Sequence, residues 1–255
     1  MAVWGPTTIA ADADDIAQLG ADRFTGTLFM GSEGANAWNS GFRFLNVAVP
    51  QGATINSATL TLQSRNLYGT VTNIHGTIYG DNVDDASAWA ASGTLAGEVT
   101  ETTASADFDP TAWVSSTDYS YTITTIVAEI VARAGWDSGH AIRFVVLNDG
   151  STADCFLRAI DYVGDPAGSA RLTIDYTEAA TGQFARPSSP VAAGNWTATG
   201  AASLHAAIGE AVASDSEYAR SGATPVADTM ELGLSSVGTP DAGGTITVRV
   251  RGRVI

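Results

Sequence analysis

The amino-acid sequence predicts an all-β fold, an antiparallel β-sandwich (jelly roll) with one short helix and a small incomplete β domain at the C-terminus. Three observations carry that prediction. Short segments alternating apolar and polar residues recur through the first two thirds of the chain, bounded by Gly, Asn, Asp or Pro. One stretch, 125–134, has helical spacing instead. Finally, 45% of the residues are hydrophobic, enough to fill a core and exclude global disorder.

In chain order, Phe42 to Val49 alternates and stops at Pro50, and Pro50-Gln51-Gly52-Ala53 reads as a turn. Ala58 to Gln63 alternates next, then Val71 to Tyr79, which places His75 in mid-strand, then Tyr119 to Ile123. Ala141 to Leu147 is almost continuously apolar, as a strand covered on both faces would be. Leu172 to Tyr176 closes the set. The helix is read from Ile126, Val127, Ile130, Val131 and Ala134, with Thr125 to start it and Gly135 to end it. It is expected to pack across one mouth of the sandwich.

A boundary follows. Residues 1–178 make the sandwich, and 179–190, with Pro187 and Pro190 in a Ser-rich run, read as a semi-rigid linker. Residues 191–255 offer two or three strands, too few to bury two faces alone, and are expected to serve attachment or oligomerisation.

Twenty-seven acidic residues face twelve basic ones, all arginine, for a net charge of −15. Nucleic-acid binding needs a basic footprint, so this balance excludes it. No run reaches the ~18 apolar residues of a membrane span, so no membrane insertion is expected. The first twenty residues hold no Lys or Arg and no apolar core of a signal peptide, so any route out of a cell is expected to be lysis or a dedicated secretion system.

The single cysteine, Cys155, excludes an internal disulfide and reads as a buried thiol. His75, His140 and His205 share no ligand spacing and read as surface or satisfied histidines. Asp12, Asp14 and Asp15 form a tight acidic turn, whose oxygens suit a structural calcium or simply face solvent. No other cofactor is expected. Trp89 and Trp113, with Tyr119 close behind, lie in loop-like stretches where an aromatic can stack on a sugar ring or plug the open end of a sandwich. At the end of the chain, Arg249, Arg251 and Arg253 alternate with valines, so one face of that strand carries a quarter of the basic charge. That ribbon can dock on an acidic surface such as another copy of the chain.

Several phrases carry a resemblance. They are Ile9-Ala10-Ala11-Asp12-Ala13-Asp14-Asp15, Gly41-Phe42-Arg43-Phe44 and the hairpin Val49-Pro50-Gln51-Gly52-Ala53-Thr54-Ile55 with the strand after it. Ile123 to Val127, Gly135-Trp136-Asp137-Ser138-Gly139 and Arg171 to Tyr176 complete the set. On them, residues 7–176 resemble the DNRLRE-type β-sandwich modules, relatives of carbohydrate-binding jelly rolls. Arg158-Ala159-Ile160-Asp161-Tyr162, and beyond the linker Gly194-Asn195-Trp196-Thr197, are similar to tailed-phage and gene-transfer-agent particle proteins of head-spike or fibre type. The resemblance implies a non-enzymatic virion protein that binds other virion proteins and copies of itself and contacts host surface polysaccharide. The alternatives are a bacterial polysaccharide-binding module and, less favoured, a polysaccharide-degrading enzyme.

Overall fold

A computed structural model describes residues 2–178 and, beyond them, 187–192, 196–200, 202–203, 206, 218–220 and 231–234. The chain divides into two compact units, Met1–Ala179 and Ala180–Ile255. The first unit is all-β, as the alternation predicts. Its strands are β1 (Ala2–Thr8), β2 (Asp15–Leu19), β3 (Asp22–Phe24), β4 (Leu28–Glu33), β5 (Asn36–Phe44) and β6 (Thr54–Tyr68). After them come β7 (Gly76–Asp81), β8 (Glu101–Asp107), β9 (Asp118–Thr122), β10 (Ile142–Asn148), β11 (Cys155–Ala159) and β12 (Arg171–Thr177). All pairs are antiparallel, and the main path runs β1-β12-β6-β11-β4-β5-β10-β7-β8. β9 joins β6, and β2 joins β5 and carries β3.

The fifteen-residue β6 lets one path curl round one core. Its first half pairs with β12 and its last residues with β11, with a register shift at Arg65 within the β11 pairing. Such a shift bends a strand and increases its twist. Ala58, Leu60 and Leu62 point into the core, while Thr59, Thr61 and Gln63 lie opposite β9, where Thr61 and Ser120 hydroxyls meet at 2.9 Å. Phe42, Phe44, Phe144, Leu28, Met30, Leu157, Leu172 and Ile174 fill the same interior from the other strands.

Two helices complete the unit, α1 (Leu95–Glu98) and α2 (Thr124–Val131). α2 is the expected helix. It begins one residue earlier than predicted because the Thr124 hydroxyl accepts the Ala58 N–H at 2.9 Å and fastens the first turn to β6. Its Ile126, Val127, Ile130 and Val131 are buried. α1, a single turn capped by Thr94, is not visible as periodicity because four residues are too few. The run read from Val71 to Tyr79 also breaks in two, a 3₁₀ turn at Val71–Asn73 and then β7, so His75 precedes the strand rather than lying within it.

In the second unit the described strands are β13 (Pro187–Ala192), β14 (Thr197–Thr199), β15 (Tyr218–Arg220) and β16 (Glu231–Leu234), paired β13-β16 and β14-β15. Residues 187–190, read as linker, are therefore strand. Among the described residues β13 pairs with β16 alone, which leaves it an edge where proline is tolerated.

α2 sits on β7 at a point where no side chain fits. A Cβ at Gly80 would stand 2.7 Å from Ile126 Cγ2 and 2.8 Å from Ile130 Cδ1. Gly80→Val is expected to lower unfolding free energy by about 1–3 kcal/mol by overpacking, read as a shifted urea midpoint.

Candidate functional site

The outer face of β2, β5 and β10 is not bare. Ile16 and Val145 rise from it and are covered by Leu95, Trp89 and Val99, all from the long connection between β7 and β8. Arginines hold that connection down. Arg143 on β10, 4% exposed, donates to Asp81 Oδ2 at 2.6 Å, to Glu98 Oε1 at 2.9 Å and to the Glu98 carbonyl at 3.1 Å. Arg23 on β3 reaches the other Glu98 oxygen at 2.6 Å and the carbonyls of Ala90 and Gly93. Arg43 on β5 binds the Ala86 carbonyl and Asp14. Burial works against the Glu98 carboxylate, but the Ala90 N–H and the Arg23 and Arg143 guanidiniums hold it below its ordinary range. Sequence reading missed this network, since none of these pairs is close in the chain.

Trp89 is placed by that clamp. It lies half-buried over Gly41, where a Cβ would come within 2.5 Å of its Cζ2. The Arg143 guanidinium stands 4.6 Å from the ring, and the indole N–H donates to the Asp14 carbonyl at 3.3 Å. An open cleft of about 310 Å³ runs beside it, lined by Ile16, Arg23, Phe24, Ala90 and Trp89 itself.

Phe24 connects this cleft to a row of rings. It is 5.5 Å from Trp38, which is 4.7 Å from Phe29 and 6.4 Å from Phe156, and Phe156 stacks on Tyr68 at 4.5 Å. The row follows the register. Trp38 pairs with Gly31, Gly31 with Phe156 and Phe156 with Tyr68, across β5, β4, β11 and β6. Three strand spacings make the row ~14 Å long. Gly31 is its gap: its φ of +124 suits glycine, and a Cβ there would stand 2.7 Å from Phe156 Cα. These rings lie outside both core clusters; Phe24 and Tyr68 at the ends are 38% and 43% exposed, Phe29 and Phe156 are half-buried, and Trp38 is buried. Arg158 lies over Phe29 at 5.5 Å on the flank of the row. Before folding, Phe29, Phe156 and Tyr68 are isolated aromatics in separate strands, and only pairing gathers them.

The other candidates are placed as follows. Trp113 and Tyr119 come together and stack at 4.8 Å, away from Trp89 in the contact network. Trp113 is 6% exposed within the main core, its indole N–H donating to the Arg158 carbonyl at 3.1 Å, and Tyr119 Oη accepts the Val114 N–H. Arg249, Arg251 and Arg253 lie outside the described residues, as does His205. His75 Nδ1 is 3.1 Å from Asp109 Oδ1 at the surface, and Cys155 is a buried free thiol.

The three aspartates separate in role. Asp14 is engaged by Arg43 at 3.0 Å. Asp15 is fully buried, its Oδ2 accepting the Tyr162 N–H at 2.8 Å. Asp12 is half-buried. Burial, and then the charges of Asp161, Asp12 and Asp14, push the Asp15 carboxyl from 3.8 up to about 7 against the Tyr162 hydrogen bond. Among the described residues no three His, Cys, Asp or Glu side chains gather to hold a metal ion. No described helix is long and apolar enough to cross a membrane. No protein-family model matches the chain, and no curated protein sequence matches it.

Two outcomes follow from these buried charges. Arg143→Met leaves Asp81 and Glu98 without their shared partner, and is expected to cost about 3–5 kcal/mol by chemical denaturation, with protease cutting first within residues 82–100. For Asp15, the folded state keeps its proton up to about pH 7 while the unfolded chain releases it near 3.8. The folded state therefore binds more protons between those values, and this group's contribution makes stability fall as pH rises through that window and level off above it. In chelator-treated buffer, Asp15→Asn should melt several degrees above the parent at pH 8, with the gap closing at pH 4.

Proposed function

We propose that this chain is a non-enzymatic structural protein of a virion or phage-like particle, of fibre or spike type, whose first unit contacts surface polysaccharide. One observation carries the polysaccharide contact: the continuous aromatic row from Phe24 to Tyr68, opening at one end into the cleft beside Trp89. Sugar rings have apolar C–H faces that stack on aromatic rings and hydroxyls that seek polar neighbours. Exposed Phe24 and Tyr68 supply the first, and Arg158 on the flank supplies the second. A long, shallow row fits a polymer better than a small molecule, which prefers a deep pocket. The particle assignment rests on the sequence resemblance, and on this reading residues 191–255 attach the module to the particle or to further copies of the chain through Arg249, Arg251 and Arg253.

The row and the Trp113–Tyr119 stack give opposite expectations. Against a panel of immobilised bacterial surface polysaccharides, Tyr68→Ala and Phe24→Ala in the full chain should each weaken binding about tenfold, equivalent to one stacking contact of ~1.4 kcal/mol. Trp113→Ala should leave affinity intact in the cold while lowering stability by about 3–5 kcal/mol. Equal affinity of the two row variants and the parent would remove the row from the function.

A further inference from the structure

Among the described residues, three buried side-chain oxygens have no hydrogen-bond partner: Asp12 Oδ1, Asp15 Oδ1 and Thr27 Oγ1. The remaining buried atoms without partners are all nitrogens. The oxygens belong to segments that meet. A Cβ at Gly26, the residue before Thr27, would stand 3.7 Å from Asp12 Oδ1 and 3.6 Å from Val163 Cγ2. Asp15 holds the Tyr162 N–H through its other oxygen. Leu28, the residue after Thr27, pairs with Ala159 at the head of the same 160–164 loop. One end of the β4–β11 pair thus gathers two carboxylates and a hydroxyl.

Among the described residues no arginine forms an ion pair with Asp12 or Asp15. The nearby arginines are turned elsewhere, Arg43 to Asp14 and Arg158 and Arg65 to Asp161. A buried carboxylate oxygen with no donor is costly. Water can satisfy it in part but leaves the like charges of Asp12 and Asp15 without a compensating cation. A hard cation answers both needs, and carboxylate and hydroxyl oxygens suit calcium, which tolerates irregular coordination completed by water and carbonyls.

We propose that Asp12, Asp15 and Thr27 bind one calcium ion, which ties the first turn of the chain to the β3–β4 connection and to the loop after β11. The protein supplies two carboxylates and one hydroxyl. Asp14 is excluded from the set by its bond to Arg43.

The full chain is stripped with chelator and titrated with calcium chloride at pH 7.5, reading heat and melting temperature. One binding event and a rise in melting temperature of several degrees are expected, with magnesium much weaker. Asp15→Asn, which folds without the ion, should lose the heat and the rise, Thr27→Val should weaken binding several-fold, and Asp14→Asn should retain binding. Equal melting in chelator and in millimolar calcium overturns the site, as does a calcium response that survives in Asp15→Asn.

Discussion

The Arg143 guanidinium, buried beneath the connection between β7 and β8, holds the outer face of the sheet together. Its hydrogen bonds neutralise the buried Asp81 carboxylate and share the Glu98 carboxylate with Arg23. A segment of some length with little regular structure, carrying one four-residue helical turn, would ordinarily sit loose above a sheet. Here it is drawn down by charge, and Leu95 and Trp89 then cover Ile16 and Val145. Apolar burial in this small cluster is a consequence of the charge pairing rather than its cause.

The candidate site inherits its geometry from that arrangement. Trp89 is set by Gly41 below it and Arg143 beside it, and the cleft exists because the tryptophan stands there while Arg23 is pulled to the other side. The aromatic row has a different origin. It needs no charge, only strand register and one glycine, since any side chain at Gly31 would displace Phe156 from its place in the row. Clamp and row meet at Phe24, so the two features form one surface.

Much of the fold was legible in the residues. Period-two alternation found β9, β12 and the middle of β6, because burying one face of a strand imposes that pattern regardless of which strands pair, and a continuous apolar run found β10, which is buried on both faces. α2 was legible for the same reason at helical spacing. β2 and β3 were not, since β2 is buried on both faces and shows no alternation and β3 has only three residues. Pro187 and Pro190 misled, because proline marks a linker in composition but also suits an edge strand. Among site residues, the loop position of Trp89 and Trp113 was readable. Their different surroundings were not: Trp113 enters the main core and stacks on Tyr119, while Trp89 borders a cleft.

The sequence by itself determined the all-β class, the acidic and lysine-free surface chemistry, and the place of the helix, because composition and periodicity are local and each strand must bury one face whatever its neighbours are. Only the tertiary structure decided which residues act together. Phe24, Trp38, Phe156 and Tyr68 become a row through strand pairing, Arg143 finds Asp81 and Glu98 across dozens of residues, and Asp12, Asp15 and Thr27 share an end of the β4–β11 pair. Such groupings depend on strand order, and in an antiparallel sheet strand order is set by long-range pairing that leaves no mark on the spacing of residues along the chain.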